Sequence, residues 1–221
     1  MSQTVVITGA NKGIGLEFCT FYKNKGADVI AVCRSPSESL QALGVEIVDD
    51  VDVSSDPGIA RLKQAINRRS IDILINNAGI FSNQSLNDMD FNEVSRQFEV
   101  NAVGPLKVTH ALQTELKSGA KVALVTSRMG SITDNTSGAY YGYRMSKAAL
   151  NAAGMSLAND LKPKGIAVAI LHPGFVQTSM VGYAGDISPA TAAERLAQRI
   201  AELTMETTGT FWHSNGDVLP W

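Results

Sequence analysis

Short apolar segments alternate along the chain with longer segments of helical periodicity. The apolar segments, rich in β-branched residues, lie at residues 5–8, 28–33, 45–51, 71–76, 121–126 and 166–171, with a last short one at 210–212. Helical spacing of apolar residues is found at residues 14–25, 57–67, 91–117, 143–162 and 189–206. Strands this apolar are typical of a sheet covered on both faces, so the pattern predicts an α/β fold with a doubly wound parallel sheet.

The composition is consistent with this fold and excludes some classes of partner. The chain has 221 residues, of which 44% are apolar and 18% charged, and we expect a single domain over residues 1–221. A net charge of −2 with no long basic run gives no reason to expect nucleic acid or an anionic membrane as a partner. A strand that begins near residue 4 leaves no room for a signal segment, and two cysteines do not make a disulfide framework. We therefore expect a cytoplasmic protein.

The first predicted strand runs into a helix through a glycine-rich turn. The turn reads Thr8-Gly9-Ala10-Asn11-Lys12-Gly13-Ile14-Gly15. Glycines there permit a tight turn and close approach of the backbone to a pyrophosphate, and the helix N-terminus supplies amide donors. The pattern favours a Rossmann-type fold of about seven strands that binds a dinucleotide, although glycine-rich turns also occur simply where helices begin.

The second predicted strand indicates which dinucleotide. A carboxylate in this region would bind a ribose 2′-hydroxyl, whereas a 2′-phosphate requires a cation. Arg34 follows the strand and Lys12 lies in the glycine turn. Either residue could be an ordinary surface charge, but their joint position favours NADP(H) over NAD(H).

Tyr143 and Lys147 form the candidate reactive pair. Their spacing of four residues places both side chains on one face of a helix. An ammonium beside a phenol favours the phenolate, so we expect the pKa of Tyr143 to lie below its usual value of ~10. Such a pair suits proton transfer near neutral pH, although the same spacing is also common in solvated surface pairs.

Taken together, the motifs resemble the short-chain dehydrogenase/reductase family over essentially the whole chain. They occur in the family's order: Thr8-Gly9-x-x-x-Gly13-x-Gly15, Asp52-Val53, Asn76-Asn77-Ala78-Gly79, Asn101, Ser127, Tyr143-x-x-x-Lys147 and Pro173-Gly174. Within the family, the stretch at residues 127–132 resembles the C-factor-like carbonyl reductase branch.

The resemblance implies a role for each matched residue. Tyr143 resembles the catalytic acid/base, and Lys147 the residue that lowers its pKa and binds the nicotinamide ribose. Ser127 resembles the residue that orients the substrate carbonyl, and Asn101 the one that holds a proton-relay water. The implied cofactor contacts are Gly9, Asn11, Lys12, Gly13, Ile14, Gly15, Arg34, Asp52, Val53, Asn77, Ala78, Gly79, Tyr143, Lys147, Pro173, Gly174, Val176 and Thr178.

Two serines compete for the role next to Tyr143. Ser131 precedes the tyrosine by 12 residues, nearer to the family's usual spacing, whereas Ser127 precedes it by 16. Ser127 directly follows a predicted strand, so the sheet would fix its position. We favour Ser127, and Ser131 has an alternative interpretation as a loop hydroxyl bonded to nearby backbone.

The substrate is less closely defined by the sequence. Tyr140 and Tyr141 lack a lysine four residues on and are interpreted as aromatic lining of the site. The short segment at residues 178–188 suggests an open pocket for a small aldehyde, ketone or quinone-like carbonyl, or the matching alcohol. By resemblance to the family, we expect a homodimer or homotetramer that pairs the helices predicted at residues 91–117 and 143–162.

Two other functions remain open. A signalling or sensor protein could bind NADP(H) with little turnover, and an NAD-dependent alcohol dehydrogenase could use the same fold. The complete Ser127, Tyr143 and Lys147 set favours an enzyme, and the two cations argue against NAD. His110 and His213 have no partners at ligand spacing, so no metal is assigned.

Overall fold

The computed structural model describes residues 2–221, which form a seven-stranded sheet with helices on both faces. The strands are β1 (Thr4–Thr8), β2 (Asp28–Val32), β3 (Glu46–Val48), β4 (Ile71–Asn76), β5 (Leu116–Val125), β6 (Ala167–His172) and β7 (Phe211–His213). The α-helices are α1 (Gly13–Asn24), α2 (Glu38–Ala42), α3 (Asp56–Ile66), α4 (Phe91–Phe98), α5 (Gly104–Leu112), α6 (Tyr141–Leu161) and α7 (Pro189–Glu202).

All neighbouring strands are parallel, in the order β3-β2-β1-β4-β5-β6-β7. The chain moves outward from β1 to β3 and then returns to place β4 on the other side of β1. A ligand crevice forms at such a switch point, beyond the carboxyl ends of the strands. The predicted doubly wound fold is therefore confirmed, including the last edge strand.

Two apolar layers enclose the sheet. Along β6, Val168 and Ile170 pack on the side of α3, α5 and α6, whereas Ala169 and Leu171 pack on the side of α1 and α7. These four residues are at most 1% exposed. Because both faces are covered, the central strands are apolar throughout, which is why the sequence shows continuous apolar runs.

The helix predicted at residues 91–117 is wrong in its length and continuity. It divides into α4, a π-helical turn (Glu99–Val103) and α5, and it ends at Leu112. Leu116 and Lys117, the last two residues of the predicted helix, belong to β5, in which Leu116 pairs with Ile71 of β4. The last predicted helix also stops earlier, at Glu202, and the short α2 was not predicted.

Candidate active site

The glycine turn is held against the loop that follows β4. Asn77 donates from Nδ2 to the carbonyl oxygens of Thr8 and Gly9, at 3.1 and 3.2 Å. A Cβ added to Gly15 would lie 2.2 Å from the Gly9 oxygen and 2.6 Å from the Asn77 amide nitrogen. No side chain fits there, so the third glycine is required for packing rather than for contact with a ligand. The N-terminus of α1 has no side-chain cap, which leaves its amides available to an anion.

Three cationic side chains surround one end of the crevice. Lys12 and Arg34, both exposed, come from the glycine turn and the end of β2, as the sequence suggested. Arg96 of α4 joins them in lining the crevice and was missed, because nothing in the sequence links α4 to the end of β2. This end of the crevice suits a phosphorylated ligand.

Asp52 lies at the same end and stays ionised. Its Oδ1 accepts hydrogen bonds from the Ser54 amide at 2.9 Å and the Ser54 hydroxyl at 2.6 Å. These hydrogen bonds, aided by the charges of Arg34 and Arg96, hold the pKa of Asp52 below its usual value. The carboxylate is therefore a fixed acceptor for a donor group of a ligand.

Ser127 and Tyr143 meet at the opposite end. Ser127 is 7% exposed, and its hydroxyl lies beside the Tyr143 phenol, close enough to lower the pKa of that phenol. Its Oγ also accepts from the Met129 amide at 3.1 Å. The turn that carries Ser127 lies directly on α6, since a Cβ added to Gly130 would lie 2.7 Å from the Lys147 carbonyl carbon.

Ser131 has other partners. Its hydroxyl donates to the main-chain oxygen of Trp221 at 3.0 Å and accepts from the Asp134 amide at 3.1 Å. Both bonds hold the loop at residues 131–134 against the end of the chain. Of the two competing serines, Ser127 is the one in contact with Tyr143.

Lys147 is buried beside Tyr143. Its Nζ donates to the Val125 carbonyl at 2.9 Å and lies 5.8 Å from the centre of the Tyr143 ring. Desolvation lowers the pKa of Lys147 to about 8. Desolvation also raises the pKa of Tyr143 to about 12, although the nearby Ser127 hydroxyl acts in the opposite direction. The expected lowering of the Tyr143 pKa by the ammonium is therefore wrong here, because loss of water outweighs the favourable contacts.

Asn101 lies on the π-helical turn, which directs its fully buried side chain toward the loop after β4. Its Oδ1 accepts from the Ile80 amide at 2.8 Å, and its Nδ2 donates to the Ile80 carbonyl at 2.9 Å and to Ser146 Oγ at 3.1 Å. A Cβ added to Gly79 would lie 3.3 Å from Asn101 Oδ1 and 3.7 Å from Lys147 Nζ. Asn101 and Lys147 therefore converge on Gly79.

One cavity of about 450 Å³ joins the two ends. The predicted residues that line it are Gly9, Asn11, Lys12, Gly13, Ile14, Arg34, Asp52, Val53, Asn77, Ala78, Gly79, Tyr143, Lys147, Pro173 and Thr178. The predicted residues that support it from outside its lining are Gly15, Asn101, Ser127, Gly174 and Val176. The lining residues that sequence reasoning missed include Ile80, Arg96 and Val100.

Within residues 2–221, no helix is both long and apolar enough to cross a membrane. The same residues contain no group of three or more histidine, cysteine, aspartate or glutamate side chains placed to hold a metal ion. The cavity lining carries the phenol of Tyr143 and the ammonium of Lys147 at one end, and three cationic side chains with the Asp52 carboxylate at the other.

The family model of the short chain dehydrogenases matches residues 3–189, which include every residue that lines the cavity. The chain belongs to the short-chain dehydrogenase/reductase family. This member is 38% identical to the 1-hydroxy-2-glutathionyl-2-methyl-3-butene dehydrogenase of Rhodococcus sp. (strain AD45) over 225 aligned positions, which cover 99% of this chain and 100% of that protein.

Two further relatives refine the placement of this short-chain dehydrogenase/reductase. It is 44% identical to C-signal of Myxococcus xanthus over 154 positions, 68% of this chain and 93% of that protein, which confirms the predicted C-factor-like branch. A crystal structure of a carbonyl reductase from Pseudomonas aeruginosa PAO1 in complex with NADP superposes with a TM-score of 0.87, at 30% identity and with full coverage of both chains.

Proposed function

We propose that the protein reduces a small aldehyde, ketone or quinone-like carbonyl to the alcohol with NADPH. The observation that carries this proposal is the single cavity, which has Tyr143 and Lys147 at one end and Lys12, Arg34 and Arg96 at the other. A proton donor and a site for a phosphorylated cofactor are the two parts that such a reduction requires. The carbonyl reductase from P. aeruginosa, similar over its whole length, supports the same reaction class.

The residues present fit NADP(H). The glycine turn and the uncapped start of α1 would receive the pyrophosphate, and Lys12 and Arg34 the 2′-phosphate. Asp52 and Val53 would contact the adenine, and Ile14, Pro173 and Thr178 the nicotinamide end, with Gly174 and Val176 supporting these residues from outside the cavity lining. A Cβ added to Gly9 would lie 2.7 Å from the Ala78 Cα, so only glycine allows the turn to pack this closely against the loop after β4. This close packing of the backbone leaves this face of the crevice free for a cofactor.

The side chains at the Tyr143 end of the cavity would each have a separate role in the reaction. Bound NADPH would supply the hydride that adds to the carbonyl carbon. Tyr143 stays protonated at neutral pH because its pKa is raised to about 12, so it acts as the acid that gives a proton to the carbonyl oxygen. Ser127 orients that oxygen. Lys147 would bind the nicotinamide ribose and return a proton to Tyr143, and Asn101 would hold the water that replaces this proton on Lys147.

A signalling or sensor function with little turnover is the alternative. It is favoured by the 44% identity to C-signal. The contact between Ser127 and Tyr143, together with the buried Lys147, favours turnover, since a protein that only binds the cofactor has no need of a buried proton donor beside an amine.

A carbonyl panel tests the proposal. Oxidation of NADPH is followed with aldehydes, ketones and quinones, and NADH is run in parallel. We expect turnover of several carbonyls and an NADPH affinity about tenfold or more above that for NADH, which corresponds to ~1.4 kcal/mol. Tight NADPH binding with no turnover across the panel would instead support the sensor function, and equal affinities would remove the assignment of the two cations.

The assembly and setting of the protein belong to the same proposal. We expect a single domain over residues 1–221 that works in the cytoplasm as a homodimer or homotetramer. Exposed apolar side chains on α4 and α6, Phe98 and Met145, support pairing through these helices.

A further inference from the structure

Two buried glutamines lie behind the catalytic end of the cavity. Gln97 of α4 is fully buried and Gln84, in the loop between β4 and α4, is 2% exposed. Gln97 Nε2 donates to Gln84 Oε1 at 3.1 Å, and Gln97 Oε1 accepts from the Ser82 amide at 2.9 Å. Gln84 Nε2 donates to Ser82 Oγ at 2.7 Å. Buried amides with satisfied partners hold a loop in one conformation.

The same pair holds the start of α6. The Tyr140 amide donates to the Gln84 carbonyl at 2.7 Å. Tyr140 has a φ of 54° and Ala139 a φ of 53°, a left-handed conformation that is costly for both residues. A Cβ added to Gly142 would lie 2.5 Å from Gln97 Nε2 and 3.0 Å from Gln84 Oε1. The glutamines therefore fix a strained turn, and Tyr140 with it.

Phe81 is fixed in the same way. It lies between Ile80, which is bonded through both its amide and its carbonyl to Asn101, and Ser82, which is bonded to Gln97. Its ring meets the Tyr143 ring edge to face, with centroids 5.1 Å apart, and lies 5.8 Å from the Tyr140 ring at an angle of 34°. Phe81 and Tyr140, here called the aromatic wall, are both half-buried and lie just outside the cavity lining, which they adjoin through the contact of Phe81 with Tyr143.

We propose that the aromatic wall is the part of the site that selects the substrate, and that it favours a carbonyl conjugated to a flat ring. Gln84 and Gln97 are its positioning residues. The inference rests on the proposed function. Rings held before the substrate arrives lose no conformational freedom on binding, and an aromatic substrate gains edge-to-face and offset contacts that a puckered ring does not.

Two aldehydes of equal size test the wall. Benzaldehyde and cyclohexanecarbaldehyde each carry one aldehyde on a six-membered ring, flat in the first and puckered in the second. The measured quantity is the ratio of their kcat/KM values, so that their intrinsic reactivities cancel when variants are compared. We expect Tyr140→Ala to reduce this ratio on the order of five- to tenfold, mainly through the KM for benzaldehyde. Phe91→Ala, which removes a 75% exposed ring from α4, is the control and should leave the ratio unchanged.

Gln97→Met tests the positioning role. It keeps the length of the side chain but removes the hydrogen bonds to Ser82 and Gln84. The ratio should again fall, with NADPH affinity unchanged, whereas a purely structural role would lower activity on both aldehydes alike. If this variant does not fold, Tyr140→Ala alone decides. An unchanged ratio in Tyr140→Ala overturns the inference and leaves the proposed function standing, whereas absence of turnover on every carbonyl of the panel contradicts both.

Discussion

Lys147 is the residue whose charge is most sensitive to pH in the site. Its pKa is lowered to about 8 by burial, whereas that of Tyr143 is raised to about 12. As the pH rises, Lys147 therefore loses its proton first and Tyr143 remains an acid. If the ammonium supports the proton transfer, kcat/KM for carbonyl reduction should fall above about pH 8, approaching tenfold per pH unit.

A pH profile with saturating NADPH measures this fall. Lys147→Arg is the matched variant, because arginine keeps its charge throughout the alkaline range. The activity that remains in this variant should lack the break near the Lys147 pKa of about 8. A wild-type profile that stays flat well above that value would show that the Lys147 charge has no part in the rate.

Substitution of Ser127 and of Ser131 gives a second testable prediction. Ser127→Ala removes the hydroxyl that contacts Tyr143 and should lower kcat/KM on the order of 100-fold. Ser131→Ala removes bonds to Trp221 and Asp134, which should cost about 1 kcal/mol of stability and leave kcat/KM close to wild type. Steady-state kinetics and thermal denaturation of both variants separate the effects, and a larger kinetic loss in Ser131→Ala would reverse the assignment.

Part of this site could be predicted from local sequence motifs. Tyr143 and Lys147 share one helix face, and the glycine turn lies between adjacent elements, so short spacings suffice to find them. Gln97 and Arg96 gave no such signal. In the sequence of α4 both look like residues of an ordinary solvated face. Gln97 is buried only because α6 packs against α4. The Tyr143 pKa was misjudged for a related reason, since burial cannot be read from a spacing of four residues.

At the scale of elements, the turn after β5 and the helix α6 act as one unit. Gly130 in the short 3₁₀ turn (Arg128–Gly130) faces the α6 backbone. A Cβ there would lie 2.7 Å from the Lys147 carbonyl carbon and 2.9 Å from the Ala148 nitrogen. Backbone atoms cannot move aside as a flexible side chain can, so the turn itself would shift and carry Ser127 away from Tyr143.

Gly130→Ala should therefore lower both stability and activity. We expect a loss of about 1–3 kcal/mol in the free energy of unfolding, from overpacking. We also expect kcat/KM to fall further than NADPH affinity. Asn159→Ala, an exposed change on the same helix, is the control. Denaturant titration and kinetics measure both quantities, and wild-type kcat/KM in Gly130→Ala would show that the turn can move without disturbing the site.

The sequence predicted most elements but not where the long helix is interrupted. The π-helical turn (Glu99–Val103) joins α4 to α5 with helical backbone at both its ends, so the sequence gives no sign of a break there. The end of the helix was predicted at residue 117 rather than at Leu112 because the strand pairing of Leu116 depends on β4 and not on local sequence.

At the scale of the whole molecule, α4 and α6 present apolar groups to solvent. Phe98 is 39% exposed and Met145 is 53% exposed, and both line one shallow depression with Val94 and Glu99. Pairing of two copies through this surface would bury them. We expect Met145→Glu to shift the protein toward the monomer in size-exclusion chromatography with light scattering.

Ile132→Glu provides the control for this shift, since Ile132 is 81% exposed but lies in the loop after β5. It should leave the oligomeric state unchanged. A wild-type protein that is monomeric, or a Met145→Glu variant with the same mass in solution as wild type, would contradict pairing through α4 and α6.

The proposed reaction needs both ends of the cavity, because the glycine turn and its cations would hold the cofactor and Tyr143 would give the proton. Tyr143→Phe removes only the hydroxyl and keeps the ring against Phe81. The decisive measurement is NADPH oxidation by this variant with a carbonyl that the wild type reduces, together with its NADPH affinity. We predict a loss of about 100-fold or more in kcat/KM with nearly unchanged NADPH affinity. Turnover at the wild-type rate would contradict the account.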